Sequence, residues 1–215
     1  MTPKWIGVCR LDFAAADAPD VLAEVQALQP GTSTEWQTPR ADLAEALRAA
    51  GCRRPDPPLQ PMFTALATDT PPPEDGVEIR RIETFEEHVL GIEIELAASD
   101  FGPDGEARRR ANARETFERR RIRPGGQWLA YLDGEAMGWG SAVAGRLGLY
   151  LSGGAVRPEA RGRGLYRALV RARWDEAVAR GTPALAVGAQ ETSRPILERC
   201  GFERVCTMYE LASDA

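Results

Sequence analysis

Residues 149–169 read L-Y-L-S-G-G-A-V-R-P-E-A-R-G-R-G-L-Y-R-A-L, and the fold turns on this stretch. A strand closes at Val156, and Pro158 sets a short turn. A helix then opens near Arg163 and runs to Gly181. Tyr166, Leu169, Val170, Trp174 and Ala177 recur on one face of that helix at helical spacing. Gly162 and Gly164 lack a Cβ, so the backbone between strand and helix can curl and approach a ligand closely. The free N–H groups of the first helical turn point outward, where the helix dipole adds partial positive charge. Arg161, Arg163 and Arg167 surround the same point. Backbone donors and guanidinium groups at a helix N-terminus suit a pyrophosphate. Two better-known phosphate loops do not fit. A P-loop needs a lysine after its last glycine, and the only lysine in the chain is Lys4. A dinucleotide fingerprint needs a third glycine that does not follow here.

Working outward, the alternation Val77–Ile82 predicts a strand. Thr84 and Glu87 have capping-box spacing, which predicts a helix after it. A second, heavily charged helix is expected over Asp104–Arg121. Gln127–Leu132 and Met137–Ala144 read as strands joined by Asp133-Gly134, a strong hairpin signal. Leu147–Val156 is the next strand. Beyond the long helix, Ala184–Val187 reads as a strand, Ser193–Arg199 as a short helix stopping at Gly201, and Val205–Leu211 as a last strand. The order β-α-α-β-β-β-α-β-α-β describes an α/β fold built on a mixed sheet.

The first 70 residues read as a smaller α/β unit. It has strand candidates at Trp5–Leu11, Ser33–Thr38 and Met62–Thr68, and helix signals at Asp17–Leu28 and Asp42–Ala50. Three consecutive prolines in Asp69–Gly76 remove backbone donors and favour extended geometry, so 71–76 reads as a linker. An internal echo links the parts. L-A-E-A-L-R-A-A-G followed by M-F matches I-L-E-R-C-G followed by M-Y in the spacing of Leu47 to Gly51 and Leu197 to Gly201. Any helix–Gly–strand unit produces such a match. The sharper reading is that residues 1–70 are a truncated copy of the second half of the larger domain.

Composition excludes several classes. The 215 residues are 43% hydrophobic and 27% charged, which is globular rather than disordered. The net charge of −5 leaves no basic excess for nucleic-acid binding. No apolar run is long enough to span a bilayer, and the N-terminus lacks a signal-peptide pattern, so the expectation is a cytoplasmic protein without a membrane partner. The four cysteines have no C-x-x-C pair and are expected reduced. His88 is the only histidine, so no histidine-rich metal site can form and no metal is expected. Its setting, T-F-E-E-H-V-L, is that of an ordinary helix residue.

The strand, V-R-P-E and R-G-R-G-L-Y-R-A-L together resemble motif A of the GCN5-related N-acetyltransferases (GNAT), with its pattern R/Q-x-x-G-x-G/A. Downstream, Q-E-T-S-R-P-I-L-E-R-C-G-F resembles that family's segment after its fifth strand. The resemblance covers about Val77–Leu211 and extends to bacterial members with an extra N-terminal subdomain. It implies a mixed, mostly antiparallel sheet flanked by helices, with a V-shaped opening between two neighbouring strands that holds acetyl-CoA as co-substrate. The backbone of Gly154, Ala155 and Val156 would pair with the pantetheine arm as an added strand. Arg161, Gly162, Arg163, Gly164, Leu165, Tyr166 and Arg167 would hold the pyrophosphate. Gln190 stands where the family often has Asn, and Ser193 lies near the same end of the cofactor. Two positions depart from the pattern: Tyr166 replaces its last Gly/Ala, and Leu197 occupies the position of the family's frequent general acid, a Tyr.

Direct acetyl transfer to an amine needs an unprotonated nucleophile, a polarised carbonyl and a proton for the leaving thiolate. A backbone N–H near Val156 suits the second task. Glu93 and Glu95 lie where the family's acceptor-side helices sit and are the base candidates, although Glu is most often solvated surface. Tyr150 and Tyr209 are acid candidates, although each reads more readily as core tyrosine. Glu191 follows the fifth strand. The arginines of Asp104–Arg121 read either as a surface for an acidic acceptor or as a solvated face paired with Glu106, Glu115 and Glu118. The expected function is N-acylation of an amine on a small molecule or protein by a monomer or homodimer. The alternative is a non-catalytic acyl-CoA-binding sensor or interaction module, suggested by Leu197 and Tyr166.

Overall fold

The computed structural model describes residues 5–8, 11–28, 30–53, 62–69, 76–189 and 193–213. Gln190, Glu191 and residues 71–75 of the expected linker lie outside this set. The strands are β1 (Trp5–Val8), β2 (Ser33–Thr38), β3 (Met62–Ala67), β4 (Glu78–Arg81), β5 (Gly125–Leu132), β6 (Glu135–Ala144), β7 (Leu149–Val156), β8 (Leu185–Ala189) and β9 (Glu203–Ser213). The helices are α1 (Ala18–Leu28), α2 (Ala41–Ala49), α3 (Phe85–Ala98), α4 (Gly102–Ala111), α5 (Ala113–Arg121), α6 (Leu165–Ala179) and α7 (Arg194–Arg199). The chain divides into two compact units, Met1–Thr64 with Ala189–Pro195 and Arg204–Ala215, and Ala65–Gly188 with Ile196–Glu203.

In the first unit, β1 runs parallel to β2 from Trp5↔Ser33 to Val8↔Trp36. The end of the chain supplies the next strand: β9 pairs antiparallel with β2 from Thr34↔Ser213 to Thr38↔Tyr209. The hydroxyls of Thr34 and Ser213 share a buried hydrogen bond, and the Trp36 indole N–H donates to Thr34 Oγ1 at 2.8 Å. Trp36, Leu43, Leu47 and Leu211 are all fully buried in one core with Ala18 and Leu22 of α1. After α2, the Gly51 N–H bonds to the Arg48 carbonyl and the Cys52 N–H to that of Leu47. In the second unit, Gly201 and Phe202 repeat this pattern on Glu198 and Leu197. Both glycines have positive φ, 106° and 84°, as this helix ending requires.

The second unit holds a five-stranded sheet. β4, β5, β6 and β7 pair antiparallel in sequence order, and β8 pairs parallel with β7. The hairpin at Asp133-Gly134 forms as its residues predict. Both take positive φ, 51° and 84°, and Leu132 pairs with Glu135. The capping box of α3 also forms: Thr84 Oγ1 accepts from the Glu87 N–H at 3.2 Å, and the Glu87 carboxylate accepts from the Thr84 N–H at 3.0 Å. Strand alternation assigns the two faces. Trp139 and Gly153 face α3, whereas Gly138, Gly140 and Gly154 face Leu169, Arg173 and Tyr166 of α6.

One expectation is corrected. The stretch 104–121 is not one helix but two, α4 and α5, broken at Asn112 (φ −90°, ψ 6°). Asn competes with the backbone for hydrogen bonds and favours helix ends. The break also serves packing. α4 buries none of its residues, while α5 buries Ala113 and Phe117 against α3 and the sheet.

Candidate functional site

Between β7 and α6 the chain makes a 3-10 turn over Pro158–Ala160 and then two left-handed positions, Gly162 (φ 76°) and Gly164 (φ 83°). Gly164 is the N-cap of α6, and its carbonyl accepts the helix's first internal bond from the Ala168 N–H at 3.0 Å. The N–H groups of Leu165, Tyr166 and Arg167 precede that bond and have no partner within the helix ladder. They form a donor cradle backed by the positive end of a 15-residue helix. Arg163 is exposed beside it and Arg167 is half-buried. Arg161 is turned elsewhere: its Nη2 donates to the Ala98 carbonyl at the end of α3, at 3.1 Å. The cradle, with Arg163 and Arg167 but without Arg161, has the donors that a pyrophosphate needs.

Tyr166 does not crowd this loop. Its ring lies along the sheet, where a Cβ at Gly154 would approach Tyr166 Cε2 to 3.0 Å. Gly154 therefore supplies the space that Tyr166 occupies, and burial pushes the phenol's pKa up, keeping it neutral. Beneath it lies Arg173, wholly buried. Its Nε donates to the Leu169 carbonyl at 2.8 Å and its Nη1 to the Gly153 carbonyl at 3.0 Å. Among the described residues no carboxylate pairs with it.

β7 and β8 part company along their length. Their pairing covers Leu149↔Leu185, Tyr150↔Ala186 and Leu151↔Val187, while β7 runs on to Val156 against β6 alone among the described residues. The parting begins at a bulge. Ser141 pairs with Gly153 and Ala142 with Leu151, leaving Ser152 as an extra residue on β7. A bulge bends its strand and disrupts the ladder locally. The backbone of Gly154, Ala155 and Val156 thus stands on the strand edge past the last β8 pair, where an extended chain can pair with it.

Of the acid–base candidates, Glu93 and Glu95 both sit on α3 but differ in setting. Glu93 is gripped by both prongs of Arg110, at 2.9 and 3.0 Å, which holds its carboxyl below the usual range. Glu95 is more deeply placed, with Arg109 3.4 Å away, and burial raises its pKa. Tyr150 is 46% exposed and pairs with Val143. Tyr209 packs in the first unit's core. His88 is buried and shares a hydrogen bond of 3.0 Å with Gln127 Oε1 through Nδ1; burial lowers its pKa, so it is a neutral core histidine. Leu197 is 1% exposed, a core residue. Ser193 stands in the turn leading into α7.

The sequence reading missed Ser152. It lies at the bulge, bonds Ser141 Oγ at 2.9 Å, and lines a cavity of about 430 Å³ with Val143, Gln127 and residues of α5. Residues opposed in an antiparallel ladder share a face, so Tyr150 lies on the same side as the cavity-lining Val143. A bulge leaves little trace in a strand as short as S-G-G-A-V.

A family model for the acetyltransferase (GNAT) family matches residues 93–202, just over half of the chain. No curated protein matches the sequence. Solved structures share the fold at low identity. A GCN5-related N-acetyltransferase from Sphaerobacter thermophilus is 17% identical with a TM-score of 0.59, over 91% of this chain and 64% of that one. A second, from Kribbella flavida, is 16% identical with a TM-score of 0.65, over 95% and 78%. A tandem GNAT protein from the clavulanic acid biosynthesis pathway is 17% identical with a TM-score of 0.64, over 93% and 68%. The chain thus spans less than two thirds of the Sphaerobacter protein's length. The glycine cradle of α6, the bulged β7 parting from β8 and the family match agree, and this chain belongs to the acetyltransferase (GNAT) family.

Proposed function

We propose that the protein transfers an acetyl group from acetyl-CoA directly to an amine bound at the same time. The observation that carries this reading is the bulge at Ser152, with β7 left open past Leu151 beside the N-terminus of α6. The cradle of Gly162–Arg167 takes the pyrophosphate, and the open edge Gly154–Val156 takes the pantetheine. A β7 N–H near Val156 polarises the thioester carbonyl. Glu95 takes the proton from the acceptor ammonium, through water, since its burial gives it a better base than the Arg110-bound Glu93. The C–N bond forms and the C–S bond breaks; Tyr150 gives the thiolate its proton and regains one from the acylated nitrogen, which leaves as the neutral amide.

The first 70 residues fit a degenerate half of the same fold. The matched helix endings at Gly51 and Gly201 support this, as does the likeness to a tandem GNAT protein. Calorimetry with acetyl-CoA and thiol release across an amine panel test the catalytic reading. Tight binding with amine-dependent thiol release is expected. Binding without any amine-dependent release would leave an acyl-CoA-binding module instead.

A further inference from the structure

We propose that the cavity beside Ser152 is the acceptor site, and that it takes a small amine that also carries a carboxylate or phosphate group. This rests on the acetyl-transfer reading above. The cavity is formed where β4, the end of α5 and the first residues of β5 converge, and it brings five arginines together: Arg81, Arg119, Arg120, Arg121 and Arg123. Glu83 is the only acid among its described lining residues. Arg81 is matched by Glu176 at 2.8 Å and Arg121 by Glu118 at 3.4 Å. Arg119, Arg120 and Arg123 have no carboxylate within 4.0 Å among the described residues.

Arg120 shows what this arrangement lacks. It is half-buried, its Nη1 reaches Gln127 Oε1 at 3.4 Å, and its guanidinium stands 5.4 Å from the centre of the Trp139 ring. Burial lowers its pKa, with Glu95 opposing. A guanidinium taken out of water without an anion is unfavourable, and a bound anion relieves it. The guanidinium fork matches carboxylate and phosphate oxygens in two parallel bonds. Across a chain of net charge −5, such a cluster is a local field rather than a bulk property.

Position and size complete the argument. Ser152 lies one residue beyond the last β7–β8 pair, so the cavity is lined by the residue at which the open β7 edge begins. Its volume of about 430 Å³ is that of a small-molecule pocket. The anionic group would sit against Arg119, Arg120 and Arg123, with the amine toward Ser152.

The test is thiol release from acetyl-CoA by the full chain with matched amines: glutamate against glutamine, glycine against glycinamide, phosphoethanolamine against ethanolamine. The anionic member of at least one pair should be favoured by roughly tenfold in kcat/KM. That advantage should shrink with added salt. Arg119→Gln and Arg123→Gln, both at exposed positions, should lose it mainly through KM and more on the anionic member. The pairs distinguish an amino acid from a phosphorylated amine. Equal use of both members, or equal losses in the variants, overturns the proposal while leaving acetyl transfer intact. If no amine is acetylated, the transfer reading fails by itself. Calorimetry with glutamate and phosphoethanolamine then decides: binding weakened in the two variants supports the anion site, and no binding overturns it.

Discussion

Arg173 donates through Nη1 to the carbonyl oxygen of Gly153 at 3.0 Å, tying the middle of α6 to the residue beside the β7 bulge. The guanidinium fits because β6 has no side chain opposite it. A Cβ at Gly140 would lie 3.2 Å from Arg173 Cζ. Gly140→Ala should therefore destabilise the protein by about 1–2 kcal/mol through overpacking. In an Arg173→Ala background, where the space is vacated, the same change should cost less than half as much. Denaturant unfolding of the four proteins measures the coupling. Equal costs in both backgrounds would show that the two positions do not meet.

The left-handed Gly164 makes a separate prediction. Gly164→Ala strains the N-cap of α6 by about 1 kcal/mol but adds no charge. Gly164→Glu adds a carboxylate against the pyrophosphate cradle. Acetyl-CoA affinity, measured by calorimetry, should fall slightly in the first and at least about a hundredfold in the second. Retained affinity in Gly164→Glu would refute the placement, provided both variants unfold cooperatively.

Glu95 links pH to both rate and stability. Its folded pKa is raised by burial, so the ionised base accumulates only above the ordinary Glu range. The rate should rise with pH through that raised value, and Glu95→Gln should remove this limb and lower turnover by about 10²-fold or more. The stability sign is opposite. The folded state binds the proton more tightly than the unfolded chain, so this carboxyl's contribution is lost as pH rises through the folded pKa. Glu95→Gln should then be at least as stable as the wild type at pH 7, read by thermal unfolding. A pH profile unchanged in the variant removes Glu95 from the mechanism.

Trp139 depends on two glycines that face it from opposite sides. A Cβ at Gly91 of α3 would come within 2.4 Å of Trp139 Cδ1, and one at Gly153 within 2.8 Å of its Cη2. Gly91→Ala must displace the indole and should cost about 2 kcal/mol, lowering Tm by roughly 4–8 °C. In a Trp139→Leu background, where the indole is gone, Gly91→Ala should cost less than half as much. Equal costs in the two backgrounds would place the strain elsewhere.

What could be read from residues alone was local. Asp133-Gly134, Thr84 with Glu87, and the two glycines before Leu165 each dictate their own backbone, and each is found as the chemistry requires. What escaped depends on convergence. Arg173 lies on the helix face that buries Leu169, Val170, Trp174 and Ala177, yet a charged residue reads as surface until Gly140 and Gly154 are known to oppose it. The arginines of α5 read as a solvated face or as a surface for an acidic acceptor, and only the meeting of α5, β4 and β5 gathers them at one cavity. Asn112 marks a break that helical periodicity alone bridges.

The strand pairing of Thr34 with Ser213 bears on how the molecule is made. The core around Trp36 and Leu43 is closed by Leu211, so segments far apart in sequence complete one hydrophobic cluster. A ribosome releases the first of them long before the last. The early segment must wait, with its apolar face exposed, through the synthesis of everything between. Contacts of such separation form slowly. The order of synthesis and the order of assembly are thus opposed in this unit, and its exposed interval during translation is where chaperone dependence and aggregation concentrate.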